Sequence, residues 1–229
     1  PMINTFSFGS YILVYNGQIY NTKELSETLK ENGFTLNSHS DTEVLLKSYI
    51  HYGKNVVNHL NGIFAFAIWD TNNNEIFLAR DHFGVKPLFY TKIDETLVFS
   101  SEIKALFQYP GIKKVLNEQS ISELFGIGPA HTSGTTVFKN IYEIKPAHFG
   151  IFNKNGFNIK RYWKLKSEKH VDTFEETCEK LKFLLNDAIT RQLVSDMPLC
   201  TFLSGGLDSS IITKFASDYC EKQGLPPLD

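Results

Sequence analysis

Seven consecutive residues, Ser204, Gly205, Gly206, Leu207, Asp208, Ser209 and Ser210, have the composition of a phosphate cradle. The two glycines let the main chain come close to phosphate oxygens. A helix starting there would add the free N–H groups of its first turn and the positive end of its dipole. Three serine hydroxyls can donate, and Asp208 offers a hard oxygen ligand for the Mg²⁺ that accompanies a nucleotide. The loop lacks the lysine of G-x-x-x-x-G-K-[ST], so it is not a kinase-type phosphate loop. The plain alternative is a strand–turn–helix corner that needs small residues.

The flanking sequence predicts the elements that would hold this loop. Leu199 to Leu203 is a short apolar run after Pro198, the pattern of a buried parallel strand. From Ser209 to Gln223, residues Ile211, Ile212, Phe215, Ala216 and Tyr219 fall at helical spacing, and Gly224 ends the stretch. Upstream, Thr173-Phe174-Glu175-Glu176 reads as a capping box. It opens a helix whose apolar positions (Phe174, Cys178, Leu181, Leu184, Leu185, Ala188, Leu193) run to about Val194.

The earlier part of the chain reads as strands, hairpins and short helices. Tyr11 to Tyr15 is an apolar strand, followed by Asn16-Gly17, a tight-turn signal because both residues tolerate positive φ. Helices are expected from the Asn21–Glu24 cap to Gly33 and from Ser40-Asp41 to Gly53. Ile63–Trp69 and Glu75–Arg80 form a hairpin, Leu88–Thr91 and Leu97–Ser100 a second, and His148–Phe152 with Phe157–Tyr162 a third; Ser101–Gln108 reads as helical. The charged stretch 164–172 marks a boundary, giving a domain over 1–163 and the beginning of another over 173–229. The first is α+β with antiparallel sheets, and the second is an α/β portion.

Composition narrows the function. A chain of 229 residues that is 42% hydrophobic and 14% aromatic can build a full core, and its 19 Phe and 10 Tyr suit sheets. A net charge of −2 without a basic run argues against nucleic acid as the main ligand. No stretch has the length and apolarity of a membrane span or a signal peptide. Cys178, Cys200 and Cys220 are odd in number and far apart, as expected of free thiols in a reducing cytoplasm; Cys178 and Cys200 fall on apolar faces and are expected in the core. His39, His51, His59, His82, His131, His148 and His170 show no metal-ligand spacing. The sequence starts at Pro1 without an initiator Met, and one parallel strand cannot bury both its faces, so both ends, at Pro1 and Asp229, read as cut.

The Ser204–Ser210 loop resembles the SGG-x-DS loop of N-type ATP pyrophosphatases. Five further segments occur in order: Asn16-Gly17-Gln18-Ile19-Tyr20-Asn21, Ser40-Asp41-Thr42-Glu43, Phe64 to Asp70, Ala79 to Pro87, and Ser101-Glu102-Ile103-Lys104-Ala105. Together the chain is similar to glutamine-hydrolysing asparagine synthetases of the bacterial type along essentially its whole length. The resemblance implies an N-terminal-nucleophile glutaminase, an α+β fold of four αββα layers. It also implies the start of an α/β ATP-pyrophosphatase domain of the adenine nucleotide alpha hydrolase-like class. In that family an N-terminal cysteine attacks the glutamine carboxamide. The released ammonia reaches a β-aspartyl adenylate made from aspartate and MgATP, and the products are asparagine, AMP, pyrophosphate and glutamate. Members often form homodimers. The implied partners are glutamine and aspartate, with no nucleic acid and no membrane.

Asn16 and Gly17 match the family's oxyanion-hole pair; a side-chain amide and a main-chain N–H suit that role, and a plain hairpin turn is the alternative. Gln18 stands where the family usually has Glu, and its amide can bind substrate without attracting an ammonium. Asp41 matches the carboxylate for the α-amino group of glutamine, and it could also cap the following helix. Phe202 matches an adenine contact, Ser204 to Ser210 match the pyrophosphate contacts, and Asp208 matches the Mg²⁺ ligand. Arg80, Asp81, Lys86 and Pro87 lie in a matching segment but are as well explained by a salt-bridged turn. The nucleophile would precede Pro1 and the aspartate site would follow Asp229, so residues 1–229 alone are expected to perform neither half-reaction. Other acceptors than aspartate, and a catalytically inactive truncated chain, are the alternative readings.

Overall fold

The computed structural model describes residues 1–6, 9–128, 132–195, 198–226 and 228, and His131 lies outside them. The chain divides into two compact units, Pro1–Leu165 and Lys166–Asp229.

In the first unit, a six-stranded antiparallel sheet runs in the order β1 (Met2–Phe6), β2 (Gly9–Ile19), β3 (Gly62–Asp70), β4 (Glu75–Arg80), β8 (His148–Asn153), β9 (Gly156–Arg161). A three-stranded sheet holds β6 (Thr96–Ser100), β5 (Phe89–Ile93) and β7 (Tyr142–Glu143) in that order. Helices α1 (Thr22–Glu31) and α2 (Asp41–Tyr52) supply the outer layer on one side, and the short α3 (Ile103–Leu106) lies against β5 and β6. The helix α4 (Glu118–Ile127) follows.

Strand alternation sorts the core into two layers. Phe64, Phe66 and Ile68 of β3, with Phe77 and Ala79 of β4, pack against Leu25, Leu29, Val44, Leu45 and Tyr49 from α1 and α2. The intervening Ala65, Ala67 and Leu78 face Leu88, Leu97 and Ile144. Both faces of β3 are therefore covered, which explains its unbroken apolar run. Large residues fill the helical side, while two alanines leave space on the other.

Local chemistry sets the helix ends. Ser40 Oγ accepts from Thr42 N–H at 3.2 Å and caps α2, which ends at Gly53 with φ +58°. In the first turn after that cap, Glu43 reaches back to the loop that precedes it. Its carboxylate accepts from Asn37 N–H (2.9 Å), Ser38 N–H (2.7 Å) and Ser38 Oγ (2.7 Å), and it pairs with Lys47 at 2.9 Å. Burial pushes the Glu43 carboxyl up, but these donors outweigh it and hold its pKa at about 2. A depressed carboxyl pKa stabilises the fold above the unfolded value, and that contribution is lost as pH falls through the folded value. Acid titration from pH 4.5 toward 2 is thus expected to remove on the order of 2–3 kcal/mol through this group. Glu43→Gln should flatten that part of the stability–pH curve, as read by urea unfolding at stepped pH.

The second unit holds α5 (Phe174–Arg191) and α6 (Leu207–Gln223), which pack together. The Thr173–Glu176 capping box is present, and Gly224, at φ +64°, closes α6. The strand expected over 199–203 does not form: Phe202 is 95% exposed, and no neighbouring strand is present among the described residues to take its ladder bonds. For the same want of a covering layer, α5 has no buried residue. Cys178 and Cys200, expected in the core, are exposed; only Cys220, on α6 beside Ala216, is buried. Among the described residues no helix is long and apolar enough to cross a membrane.

Candidate functional site

Asn16 and Gly17 do not form a turn. β2 runs straight through them, with Asn16 opposite Ala65 and Gly17 opposite Phe64 of β3. Pairing with β3 overrides the local turn preference of Asn-Gly. Glycine is needed at 17 for a different reason: φ is +156°, and a Cβ there would sit 2.1 Å from Ile63 O and 2.8 Å from Phe64 Cα.

The hydrogen-bond phase of the sheet fixes where the Gly17 amide points. Phe64 O accepts from Asp81 N–H at 2.8 Å, and Phe64 N–H donates to Asp81 Oδ2 at 3.3 Å, so both main-chain groups of Phe64 face the β4 side. Gly17 and Phe64 are then a non-hydrogen-bonded pair, and the Gly17 N–H is directed away from β3. On that outer side β1 reaches only as far as the Met2–Leu13 pair. The amides of Tyr15, Gly17 and Ile19 consequently lie along a sheet edge that β1 does not cover.

Asp41, in the first turn of α2, meets this edge. Its Oδ2 accepts from Ile19 N–H (3.2 Å) and from the Tyr15 hydroxyl (2.8 Å). Burial, and then the bond to Asp41, raise the Tyr15 hydroxyl pKa far above the usual phenol range, so Tyr15 stays a proton donor to the carboxylate. The helix cap is Ser40 rather than Asp41. Asn16 projects from the opposite face of β2; its Nδ2 donates to Ser101 Oγ at 3.3 Å. Both residues line a cavity of about 420 Å³, floored by Ala65 and Ala67 and walled by Leu88, Val98 and Ala105. Gln18 is half-buried between Gly17 and Ile19. Asn16, Gly17, Gln18 and Asp41 are thus gathered around one end of β2, with Tyr15 and Ser101 as neighbours to which the sequence assigned no role.

The 80–87 segment braces this end, though not as a turn closed by salt bridges within itself. Arg80 is buried and pairs with Glu143 of β7 at 3.0 Å; its remaining donors go to the carbonyls of Lys86 (2.8 Å), Gly84 (2.8 Å) and Ile144 (2.7 Å). Asp81, 1% exposed, accepts from four main-chain amides: Phe64 (3.3 Å), Phe83 (3.1 Å), Val85 (3.0 Å) and Lys86 (2.9 Å). It therefore clamps the 83–86 loop to the stretch of β3 that faces Gly17. Burial lowers the pKa of the adjacent His82, an effect that the charge of Asp81 opposes.

The second candidate site is at the head of α6. Gly205 has φ +84°, a conformation that favours glycine, and Gly206 is the N-cap residue. Ser204 Oγ and Ser209 Oγ lie 2.9 Å apart, and the Ser209 and Ser210 hydroxyls donate to Gly206 O at 3.1 and 2.8 Å. Asp208 is exposed in the first helical turn, and Leu207 and Phe202 are also exposed. The local loop-to-helix geometry thus assembles three hydroxyls, a carboxylate and the helix N-terminus on one loop.

Two family profiles match the chain. The profile of the glutamine amidotransferase domain matches residues 1–163, and that of asparagine synthase matches residues 180–225. The chain is 52% identical to asparagine synthetase [glutamine-hydrolyzing] 3 of Bacillus subtilis over all of its own length and 37% of the relative's. It is 37% identical to asparagine synthetase [glutamine-hydrolyzing] 2 of the same organism, over 95% of this chain and 30% of that one. It therefore spans about a third of the length of these curated relatives. Among solved structures, the glutamine phosphoribosylpyrophosphate amidotransferase of B. subtilis superposes with a TM-score of 0.51 at 20% identity, over 99% of this chain and 47% of that one. That likeness concerns fold alone, and it is to an N-terminal-nucleophile amidotransferase fold. The chain belongs to the glutamine amidotransferase family, and its residues 180–225 match the asparagine synthase profile.

Proposed function

We propose that this chain is part of a glutamine-dependent asparagine synthetase that converts ATP, aspartate and glutamine to asparagine, AMP, pyrophosphate and glutamate. One observation carries the reading: a glutamine amidotransferase match over 1–163 and an asparagine synthase match over 180–225 occur in one polypeptide. In the first unit, the outward Gly17 N–H and the Asn16 amide are the donors for a tetrahedral oxyanion. Removing one such donor slows turnover by about 10²–10³-fold. Asp41, oriented by Tyr15, receives the ammonium of glutamine beside Gln18.

In the second unit, Ser204, Gly205, Gly206, Leu207, Asp208, Ser209 and Ser210 hold the phosphates of ATP, and Phe202 contacts the adenine. The loop fits such a group: Gly205 at φ +84° shapes it without a side chain, and the donors are hydroxyls and first-turn amides. Asp208 fits Mg²⁺, which takes one or two carboxylates together with phosphate oxygens and water. ATP, when bound, supplies the adenylyl group that activates the acceptor carboxylate.

The test uses the polypeptide as its own cell makes it, assayed with glutamine, aspartate and MgATP. Stoichiometric glutamate, asparagine, AMP and pyrophosphate are expected. Glutamate release with no aspartate-dependent pyrophosphate would transfer the reading to another acceptor, and absence of both products would refute it.

A further inference from the structure

Away from both sites, a cavity of about 290 Å³ lies beside the three-stranded sheet. Three lysines from three separate segments line it: Lys92 on β5, Lys113 in the stretch after α3, and Lys139 in the turn before β7. No acidic residue lines it, in a chain whose net charge is −2. Lys92 has a distant contact with the exposed Glu95, 3.8 Å away, and Lys114 lies over the Phe107 ring. Lys113 and Lys139 have no ion-pair partner among the described residues.

Like charges gathered without counter-charge repel one another, and here the main chain is built to keep them together. The buried Thr91 donates its hydroxyl to Asn140 O at 2.7 Å, tying the Lys139–Asn140 turn to β5 next to Lys92. Lys139 N–H donates to Val115 O at 2.8 Å, tying the same turn to the segment that carries Lys113. Asn140 holds φ +61°, the left-handed conformation that the tight turn requires. Ile93, Ile112 and Ile141 supply an apolar part of the wall.

We propose that this cavity binds a small phosphate-bearing anion, with its phosphates at Lys92, Lys113 and Lys139 and any organic portion against the isoleucines. The inference does not depend on the proposed function.

The experiment is a titration of the ¹⁵N-labelled chain with pyrophosphate and with AMP, at an ionic strength of about 0.15 M, where the Debye length of roughly 8 Å screens diffuse attraction. Amide shifts are expected at 91–93, 111–113 and 139–141. The substitutions Lys113→Ala and Lys139→Ala together should weaken binding at least about tenfold, a loss of roughly 1.4 kcal/mol. These side chains are exposed, so the variant keeps its fold, which its spectrum will report. Asp208→Ala should leave the shifts unchanged, which separates this cavity from the loop at α6. A response to AMP but not pyrophosphate would locate recognition in the organic portion and overturn the phosphate assignment. Shifts confined to residues 204–210, or shifts indifferent to the double substitution, would likewise overturn the proposal.

Discussion

Asp81→Ala is expected to lower the stability of the first unit by about 4 kcal/mol, the size of effect that follows from removing a buried carboxylate that serves four main-chain donors at once. The carboxylate is 1% exposed and serves four main-chain amides, including that of the fully buried Phe64. Asp81→Asn separates charge from shape. Its single carbonyl oxygen can still serve Phe83 and Val85, but the amide nitrogen would then face the N–H groups of Phe64 and Lys86, donor against donor. About half of the loss is expected for that variant. Urea unfolding followed by tryptophan fluorescence measures both. A loss under about 1 kcal/mol for Asp81→Ala would mean that the 83–86 loop is held by something else.

Gly17→Ala comes next in size. The added methyl would lie 2.1 Å from Ile63 O and 2.8 Å from Phe64 Cα, both main-chain atoms that cannot swing aside. Strands β2 and β3 must part locally, at an expected cost of about 3 kcal/mol from overpacking together with backbone strain at positive φ. The parting occurs where Asn16, Gly17 and Asp41 converge, so under the proposed function the variant should lose glutamine hydrolysis in the full-length protein beyond what its stability explains. Gly62→Ala serves as the control: its Cβ would meet Gln18 O at 2.3 Å, jamming the same strand pair one step beyond the Gly17 amide. Equal losses of hydrolysis per unit of lost stability in the two variants would remove any special role for the Gly17 amide.

Much of this fold was legible where the determining interactions are local. The Ser40 cap, the Thr173–Glu176 box, the β3–β4 and β8–β9 hairpins and the Gly224 terminus depend on residues a few positions apart, and each formed where its pattern lay. The failures are non-local. Asn16-Gly17 carries a turn signal, yet nine consecutive pairings with β3 hold it extended. The run at 199–203 has a strand's composition but no strand to pair with among the described residues, and the exposure of Cys178 and Cys200 follows from the same missing cover. β1, α4 and β7 were not anticipated, and β7 is two residues long and exists through its register with Phe89 and Tyr90.

At the site, residue types were readable but their supports were not. Sequence placed Asp41 at a helix start. Only the sheet's hydrogen-bond phase reveals that it grips the outer edge of β2 through Ile19. Arg80, Asp81, Lys86 and Pro87 read as a salt-bridged turn, yet Arg80 pairs with Glu143 and Asp81 with main-chain amides, because successive residues at a strand end project to different sides.

The Arg80–Glu143 pair has a consequence for how the molecule breathes. Arg80 ends a strand of the six-stranded sheet and Glu143 belongs to the three-stranded one, so a single buried guanidinium is riveted to both. Any opening that separated the two sheets would strip that cation of its carboxylate and leave charge in an apolar gap. Partial opening along the sheet–sheet seam is thereby removed from the repertoire of low-energy fluctuations, and the two sheets melt as one cooperative element.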